Sequence, residues 1–318
     1  MDRQAELNVV TGATGYTGKY IARRLLKMGK RVRSLTGHLH RENPFGTQIE
    51  LFPYSFDNPR ALAESLRGAT TLYNTYWVRF SHGRTTFDSA IQNTKILLEA
   101  AQTAGLQRIV HISIANPDKH SSLPYYKGKA LLEEAVIKSG LRYVIIRPTV
   151  IFGPEDILIN NIAWFLRTFP LFAIAGSGDY RIQPIFVEDV VELAVTAAER
   201  DENMIMDAVG PETFTFNELV QLIAKAIHSK ARMIHVTPRL ALLLSRLVGY
   251  MVKDVTLTQE EVEGLLANLL VSSHPPTGKT SFSEWLRCNA TMLGRCYHSE
   301  LERHYKKQGG CGIMRSRC

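Results

Sequence analysis

Thr11-Gly12-Ala13-Thr14-Gly15-Tyr16-Thr17-Gly18 sets three glycines three residues apart, where a short apolar run (Leu7 to Val10) gives way to a helical pattern beginning near Tyr16. A strand that enters a helix through a glycine bend aims backbone N–H groups, and the positive end of the helix dipole, at the space above the bend. An anionic pyrophosphate suits that space. Gly12 takes the tight turn, Gly15 admits a ligand close to the main chain, and Gly18 allows the helix to lie against the strand. Gly12, Thr14, Gly15, Tyr16, Thr17 and Gly18 are therefore the candidate phosphate-contacting residues. The spacing is Gly-x-x-Gly-x-x-Gly rather than the commoner Gly-x-Gly-x-x-Gly, so its meaning depends on the strand before and the helix after.

Outward from this bend, strand and helix patterns alternate. Arg31–Leu35, Ile49–Pro53, Thr71–Thr75, Arg108–Ser113 and Arg142–Arg147 read as strands two to six. The intervening helices include a long one ending near Gly105, whose glycine suits a helix C-terminus. Six strands with helices between them predict an α/β, doubly wound parallel sheet of the Rossmann type. The reading assigns residues 1–150 to a dinucleotide-binding domain and 151–307 to a smaller, mostly helical substrate region, some elements of which return to the sheet. Residues 308–318 read as a disordered tail. Capping boxes are expected at Thr215 with Glu218, Thr258 with Glu261 and Ser281 with Glu284.

The bulk numbers exclude several classes. The 318 residues carry 45% hydrophobic content and 38 basic against 30 acidic residues, a net charge of +8. Six Lys/Arg and two Glu lie from Arg295 onward. No basic and aromatic residues interleave in a nucleic-acid-binding motif, so nucleic acid is not an expected partner. The start, Met1-Asp2-Arg3-Gln4-Ala5-Glu6, runs straight into the first strand and leaves no room for a signal peptide, which points to the cytoplasm. The longest apolar stretch, Leu240 to Val252, falls short of the roughly 18 apolar residues of a membrane span. Leu240, Leu243, Leu244, Leu247 and Met251 recur in it at helical spacing, which predicts a core stripe; lying on a membrane surface is the alternative. The four cysteines, Cys288, Cys296, Cys311 and Cys318, lack the close ligand pairs of a structural zinc site, so no metal is expected and the thiols read as free.

A second constellation is Tyr125-Tyr126-Lys127-Gly128-Lys129 at the start of a helix. Tyr125 and Lys129 are four apart and share a helical face. A phenol is a poor acid or base at neutral pH, but an adjacent ammonium and an oxidised nicotinamide both favour its phenolate. Such a tyrosine can exchange a proton with a substrate oxygen while hydride moves to or from the coenzyme. Strand two ends Arg33-Ser34-Leu35-Thr36-Gly37-His38, with no carboxylate where an NAD-preferring fold binds the ribose hydroxyls. Arg33, Thr36, His38 and Arg41 then stand ready for a 2′-phosphate, so NADP is the favoured cofactor and NAD the alternative.

The glycine bend followed about a hundred residues later by Tyr-x-x-x-Lys resembles the short-chain dehydrogenase/reductase superfamily. Arg147-Pro148-Thr149, Phe152-Gly153-Pro154 and Pro184 to Val190 look like its extended and atypical branches: sugar-nucleotide epimerases, nitrogen-regulator-like NADP binders and the accessory-subunit family of respiratory complex I. The last of these is the most similar, on Tyr73-Asn74-Thr75-Tyr76-Trp77 and Ile112-Ser113-Ile114-Ala115-Asn116-Pro117. The resemblance is good from Leu7 to about Ala226 and faint beyond.

It implies Tyr125 as acid/base, Lys129 as its tuning partner and a hold on the nicotinamide ribose, and Asn93 as support for a proton-relay water. Thr75 and Tyr76 would lie beneath the nicotinamide-side diphosphate and ribose, and Pro148 and Thr149 would border the nicotinamide. Asp57 resembles the aspartate that meets the adenine amine, though it is equally a helix N-cap. Ser113 is the candidate catalytic hydroxyl, but the family places that group one or two residues later, at Ile114 or Ala115 here; Ser121 and Ser122 are possible substitutes. Trp77, Phe80, Phe152, Trp164 and Tyr180 are candidate walls of a substrate pocket, with core filling the better reading for Trp164. Two functions follow: an oxidoreductase or epimerase acting on a small carbonyl or hydroxyl substrate, or a non-catalytic dinucleotide-binding accessory or redox-sensing protein. In the second, the C-terminal region serves docking to a protein or a membrane surface.

Overall fold

The computed structural model describes residues 6–305. The expected tail and two of the cysteines, Cys311 and Cys318, lie outside them. The described chain divides into two compact units: one runs to Pro148 and takes in Val190–Asp207, and the other comprises Thr149–Asp189 and the chain from Ala208.

The first unit is built on β1 (Leu7–Thr11), β2 (Arg31–Thr36), β3 (Ile49–Pro53), β4 (Thr71–Asn74), β5 (Arg108–Ile112) and β6 (Arg142–Pro148). Between them run α1 (Tyr16–Lys27), α2 (Pro59–Leu66), α3 (Phe87–Thr103) and α4 (Pro124–Lys138). The spatial order is β3-β2-β1-β4-β5-β6, with Met204–Ala208 added beside β6 as a seventh strand. The five pairings among β1 to β6 are parallel. β1 and β4 are neighbours although two strands separate them in sequence, so strand order reverses at their junction, the place where open α/β sheets bind ligands.

Val9, Leu35, Leu72, Ile109 and Ile145, from five different strands, pack with Leu62, Leu66 and Leu97 of α2 and α3, all inaccessible to solvent. Each such side chain contributes about 1.5–3 kcal/mol relative to exposure. α3 starts on a capping box, with Thr86 Oγ1 accepting the Ser89 N–H at 3.1 Å, and ends where Gly105 takes φ +77°. Both ends are set by local sequence.

In the second unit, Val150–Phe152 pairs in parallel with Pro184–Phe186, Leu171–Ala175 pairs in parallel with Arg232–Val236, and Arg181–Ile182 pairs antiparallel with Phe214–Thr215. Helices Leu158–Thr168, Phe216–Ala226, Pro238–Val252, Gln259–Leu266 and Phe282–Asn289 accompany them. The capping boxes at Thr215 and Thr258 are present. At Ser281 the side chain accepts the Glu284 N–H at 3.2 Å, but the reciprocal bond is not formed. Phe152 and Tyr180, expected on a pocket wall, are instead core: Phe152 packs against Phe282 and Trp285, and Tyr180 stacks on Phe216. Aromatic residues near a family motif served the hydrophobic effect first.

The expected core stripe of the Pro238–Val252 helix is overturned. Only Ala241 and Gly249 of that helix are buried, whereas Leu240, Leu243, Leu247 and Met251 are exposed. Spacing identified an apolar face, but burial depends on a neighbour that periodicity does not encode.

A Cβ built on Gly18 would lie 2.2 Å from the Gly12 carbonyl oxygen and 2.9 Å from that of Thr11. Both obstacles are backbone, so neither can step aside. Gly18→Ala is expected to cost about 1–3 kcal/mol in urea unfolding, the range of overpacked sites. Unchanged stability in that variant would show that the helix does not need its close seat on the strand.

Candidate active site

The glycine bend forms at the end of β1. Gly12 has φ +67°, donates its N–H to the Leu35 carbonyl at 2.7 Å, and its own carbonyl accepts the Gly15 N–H at 2.8 Å. α1 then starts at Tyr16 with Gly15 as its cap residue, with no side-chain cap and no acidic residue in the first turn. Helix starts normally answer their first N–H groups with a cap or a carboxylate. Here that role is left open to an anionic ligand. The glycines provide the room: a Cβ on Gly15 would come within 3.1 Å of the Gly12 carbonyl, and Thr14 and Thr17 are half-buried beside it. The residues present fit a pyrophosphate.

Thr75 is pinned to β1 twice, its N–H donating to Thr11 Oγ1 at 2.7 Å and its hydroxyl to the Thr11 carbonyl at 2.6 Å. The Tyr76 N–H donates to Asn74 Oδ1 at 3.1 Å. This turns the Asn74 amide nitrogen toward His111 Nδ1, 3.0 Å away, so Nδ1 is the acceptor and the imidazole proton sits on Nε2. Burial, with the Lys129 charge adding to it, pushes His111 down to about 3. Thr11, Asn74 and His111 thus form a buried polar row across the ends of β1, β4 and β5.

Tyr125 and Lys129 lie on α4, which starts one residue earlier than its tyrosine pair, at Pro124. Lys129 is 3% exposed, donates to the Ile112 carbonyl at 2.9 Å, and sits 5.0 Å from the centre of the Trp77 ring. Burial pushes its amine down to about 7, opposed by the charge of Glu133. The Tyr125 ring meets Trp77 and Phe87 edge-on at 5.8 and 6.0 Å. Trp77 and Tyr125 therefore stand together, as two of the residues singled out by sequence. Phe80 is buried.

Three residues that shape the site escaped the sequence reading. A Cβ on Gly128 would lie 2.7 Å from Trp77 Cη2, so this glycine lets the indole rest on α4. Glycine inside a helix costs up to about 1 kcal/mol against alanine, and that cost was the available signal. Glu133, 4% exposed, accepts the Ser113 hydroxyl at 2.5 Å and is gripped by Arg147, with Nε at 3.0 Å from Oε1. A carboxylate on the buried face of a helix four residues after Lys129 was the signal there. His111 lies within an otherwise apolar strand, where a single imidazole gave no pattern to follow.

Several candidates are engaged elsewhere. Ser113 is 4% exposed and spends its proton on Glu133, while Ile114 and Ala115 are buried apolar residues. Asn93 donates to the Tyr76 hydroxyl at 2.9 Å, and burial raises that phenol's pKa. Arg33 reaches away from the end of β2: Nη1 donates to the Ser65 and Arg67 carbonyls at 2.7 and 3.3 Å. Thr36 is buried, and its hydroxyl accepts the His38 N–H at 3.1 Å. Asp57 is exposed and does not cap α2, because Asn58 does so by accepting the Ala61 N–H at 3.1 Å. The Pro148 carbonyl accepts the Ala115 N–H at 2.9 Å, and the Thr149 hydroxyl donates to the Gln183 carbonyl.

A doubly wound sheet whose strand-order reversal carries an uncapped glycine bend defines a dinucleotide-binding protein. The profile of the NAD dependent epimerase/dehydratase family matches residues 8–208, and the chain belongs to that family. Among curated relatives, the mitochondrial NADH dehydrogenase [ubiquinone] 1 alpha subcomplex subunit 9 of Arabidopsis thaliana is 26% identical over 77% of this chain. The chain spans 64% of that relative's length. A nucleoside-diphosphate-sugar epimerase from Staphylococcus aureus shares the fold with a TM-score of 0.70 at 14% identity, covering 88% of this chain and 99% of its own. The triphenylmethane reductase of Citrobacter sp., solved with NADP(H), does so with a TM-score of 0.64 at 18% identity, covering 90% and 95%. The expected fold and the superfamily resemblance are borne out, and the coenzyme class is NAD(P).

The Lys129 amine resists protonation in the folded protein, whereas in the unfolded chain it holds its proton up to its ordinary value of 10.5. The sign follows: between pH 7 and 9 the unfolded state binds more protons, so stability rises with pH. In urea titrations across that window, wild-type protein is expected to gain stability relative to Lys129→Met. A parallel pH dependence in the two proteins would mean that the buried amine stays charged.

Proposed function

We propose that this chain binds NADP at the Gly12–Gly18 bend and acts as an oxidoreductase or epimerase on a small carbonyl or hydroxyl substrate, with Tyr125 exchanging the proton. The observation that carries the reading is the uncapped, acid-free start of α1 behind three glycines, with Tyr125 and Lys129 on one face of α4. The coenzyme, when bound, supplies hydride transfer. The chain's own part is to hold it and to move the proton. Gly12, Thr14, Gly15, Tyr16, Thr17 and Gly18 would cradle the pyrophosphate, and Thr75 and Tyr76 would lie along the ribose and diphosphate that follow. Pro148 and Thr149 would border the nicotinamide end. Lys129, beside the Trp77 face, would stabilise a Tyr125 phenolate when charged and lower the cost of deprotonation.

NADP is favoured over NAD because no carboxylate lies between Leu35 and Arg41, while His38, His40 and Arg41 do. Arg33 plays no part in this, being taken by the α2 carbonyls. Calorimetric titration is expected to show NADPH binding at least about 10-fold, or 1.4 kcal/mol, more tightly than NADH. Gly37→Asp, which adds a carboxylate at the end of β2, should reverse that order. Equal affinities in the unmodified protein would remove the basis for the NADP assignment.

A second reading is supported by the Ser113–Glu133 bond and by Ile114 and Ala115 in the family's hydroxyl position. With the Ser113 proton spent on Glu133, a substrate oxygen would lack the donor the family places there, and the coenzyme would be a lasting structural or redox-sensing element, as suits the likeness to a complex I subunit. The two separate on Tyr125→Phe, assayed with a panel of carbonyl substrates. The catalytic reading expects a loss of about 10²–10⁴-fold in turnover with coenzyme affinity unchanged. NADP that copurifies, survives dialysis and is neither oxidised nor reduced by any substrate supports the other reading.

A further inference from the structure

The Pro238–Val252 helix presents an apolar stripe to solvent. Leu240, Leu243, Leu247, Tyr250 and Met251 are 42%, 52%, 59%, 88% and 68% exposed. At about 3.6 residues per turn their spacing puts them on one face. The opposite face is the one that packs, where Ala241 meets Ala175 and Val262. Arg239, Arg246 and Lys253 are exposed and spaced by seven, so each stands three or four residues from Leu243 or Tyr250 and borders the stripe along one edge. None of them has an ion-pair partner among the described residues. No acidic residue occurs from Pro238 to Lys253. Asp254, which follows, is buried and accepts from the Tyr297 hydroxyl and from the Glu300 and Leu301 N–H groups.

We propose that this helix lies in the interface of an anionic lipid bilayer, with Leu243, Leu247, Tyr250 and Met251 inserted among the acyl chains and the three cations against the headgroups. An apolar face bordered by Arg and Lys, on a helix too short to span, is the composition of an interfacial helix. Its 15 residues extend about 22 Å along the surface. Tyr250 at the end of the stripe suits the boundary between water and lipid, where an apolar ring carries a polar tip. Charge decides against a second copy and against the chain's own last residues. A second copy of the chain, with its own net charge of +8, would bring the same three cations to the contact. Residues 306–318 contain Lys306, Lys307, Arg315 and Arg317 and no acid, so they repel the flank. Anionic lipid complements it.

Co-sedimentation of the full chain with vesicles tests this, comparing phosphatidylcholine mixed with phosphatidylglycerol against phosphatidylcholine alone. Binding is expected to the mixed vesicles, to weaken with salt, and to be far weaker on the neutral ones. Leu243→Glu with Leu247→Glu should reduce it by about 10-fold or more. Arg239→Gln, Arg246→Gln and Lys253→Gln together should reduce it on the order of 100-fold, since each basic residue near an anionic surface is worth about a factor of five. All five positions are exposed, so melting temperature and circular dichroism should not change in either variant. The proposal is overturned by failure to bind the mixed vesicles, by equal binding to neutral ones, or by leucine variants that bind as well as wild type. It is equally overturned if sedimentation velocity finds a dimer that the leucine substitutions dissociate.

Discussion

The close seat of α1 on β1 is the constraint from which the site follows. Gly18 lies where a side-chain carbon would collide with the Gly12 carbonyl, and that contact fixes where α1 begins. The bend that leads into α1 follows β1, whose neighbour β4 marks the junction where strand order reverses, and a Cβ on Gly12 would lie 3.7 Å from Thr75 Oγ1, just past β4. Thr75 is tied by two hydrogen bonds to Thr11 on the other side of that junction. The bend and the residues after β4 are consequently held as one rigid rim. A helix packed farther out would leave the same N–H groups without a fixed direction, and a phosphate ligand would have to order them on binding.

Behind the rim lies a second layer that governs protonation. Asn74 is oriented by the Tyr76 N–H, and that orientation dictates which nitrogen of His111 carries the proton. Lys129 is buried between the Ile112 carbonyl and the Trp77 face, and Gly128 makes the approach of that indole possible. Burial lowers both the imidazole and the amine, so the Lys129 amine, one turn along α4 from Tyr125, changes charge near neutrality rather than far above it. Glu133 works against this by favouring the charged amine, while it also takes the Ser113 proton and pairs with Arg147. One carboxylate thereby couples the lysine, the serine and the end of β6.

The second unit shows how far a family pattern reaches. The family profile ends at residue 208, and the Pro238–Val252 helix lies beyond it. Its exposed leucines share a unit with a well-filled core around Phe152, Phe216 and Phe282, so the exposure is not a general looseness of packing.

The sequence by itself determined the alternation of strands and helices, the glycine bend, the capping boxes at Thr215 and Thr258, and the Tyr125–Lys129 pair, because each is a local pattern enforced by backbone geometry over a few residues. Tertiary structure decided the rest. Arg33 belongs to the α2 carbonyls, Ser113 to Glu133, Asn93 to Tyr76, and Phe152 and Tyr180 to a core, since a side chain's partner is chosen by what the fold brings near it. The same holds for Leu240, Leu243, Leu247 and Met251, whose spacing announced a face but could not say whether protein or solvent would meet it. Periodicity records what a helix offers; only the assembled neighbours settle what is accepted.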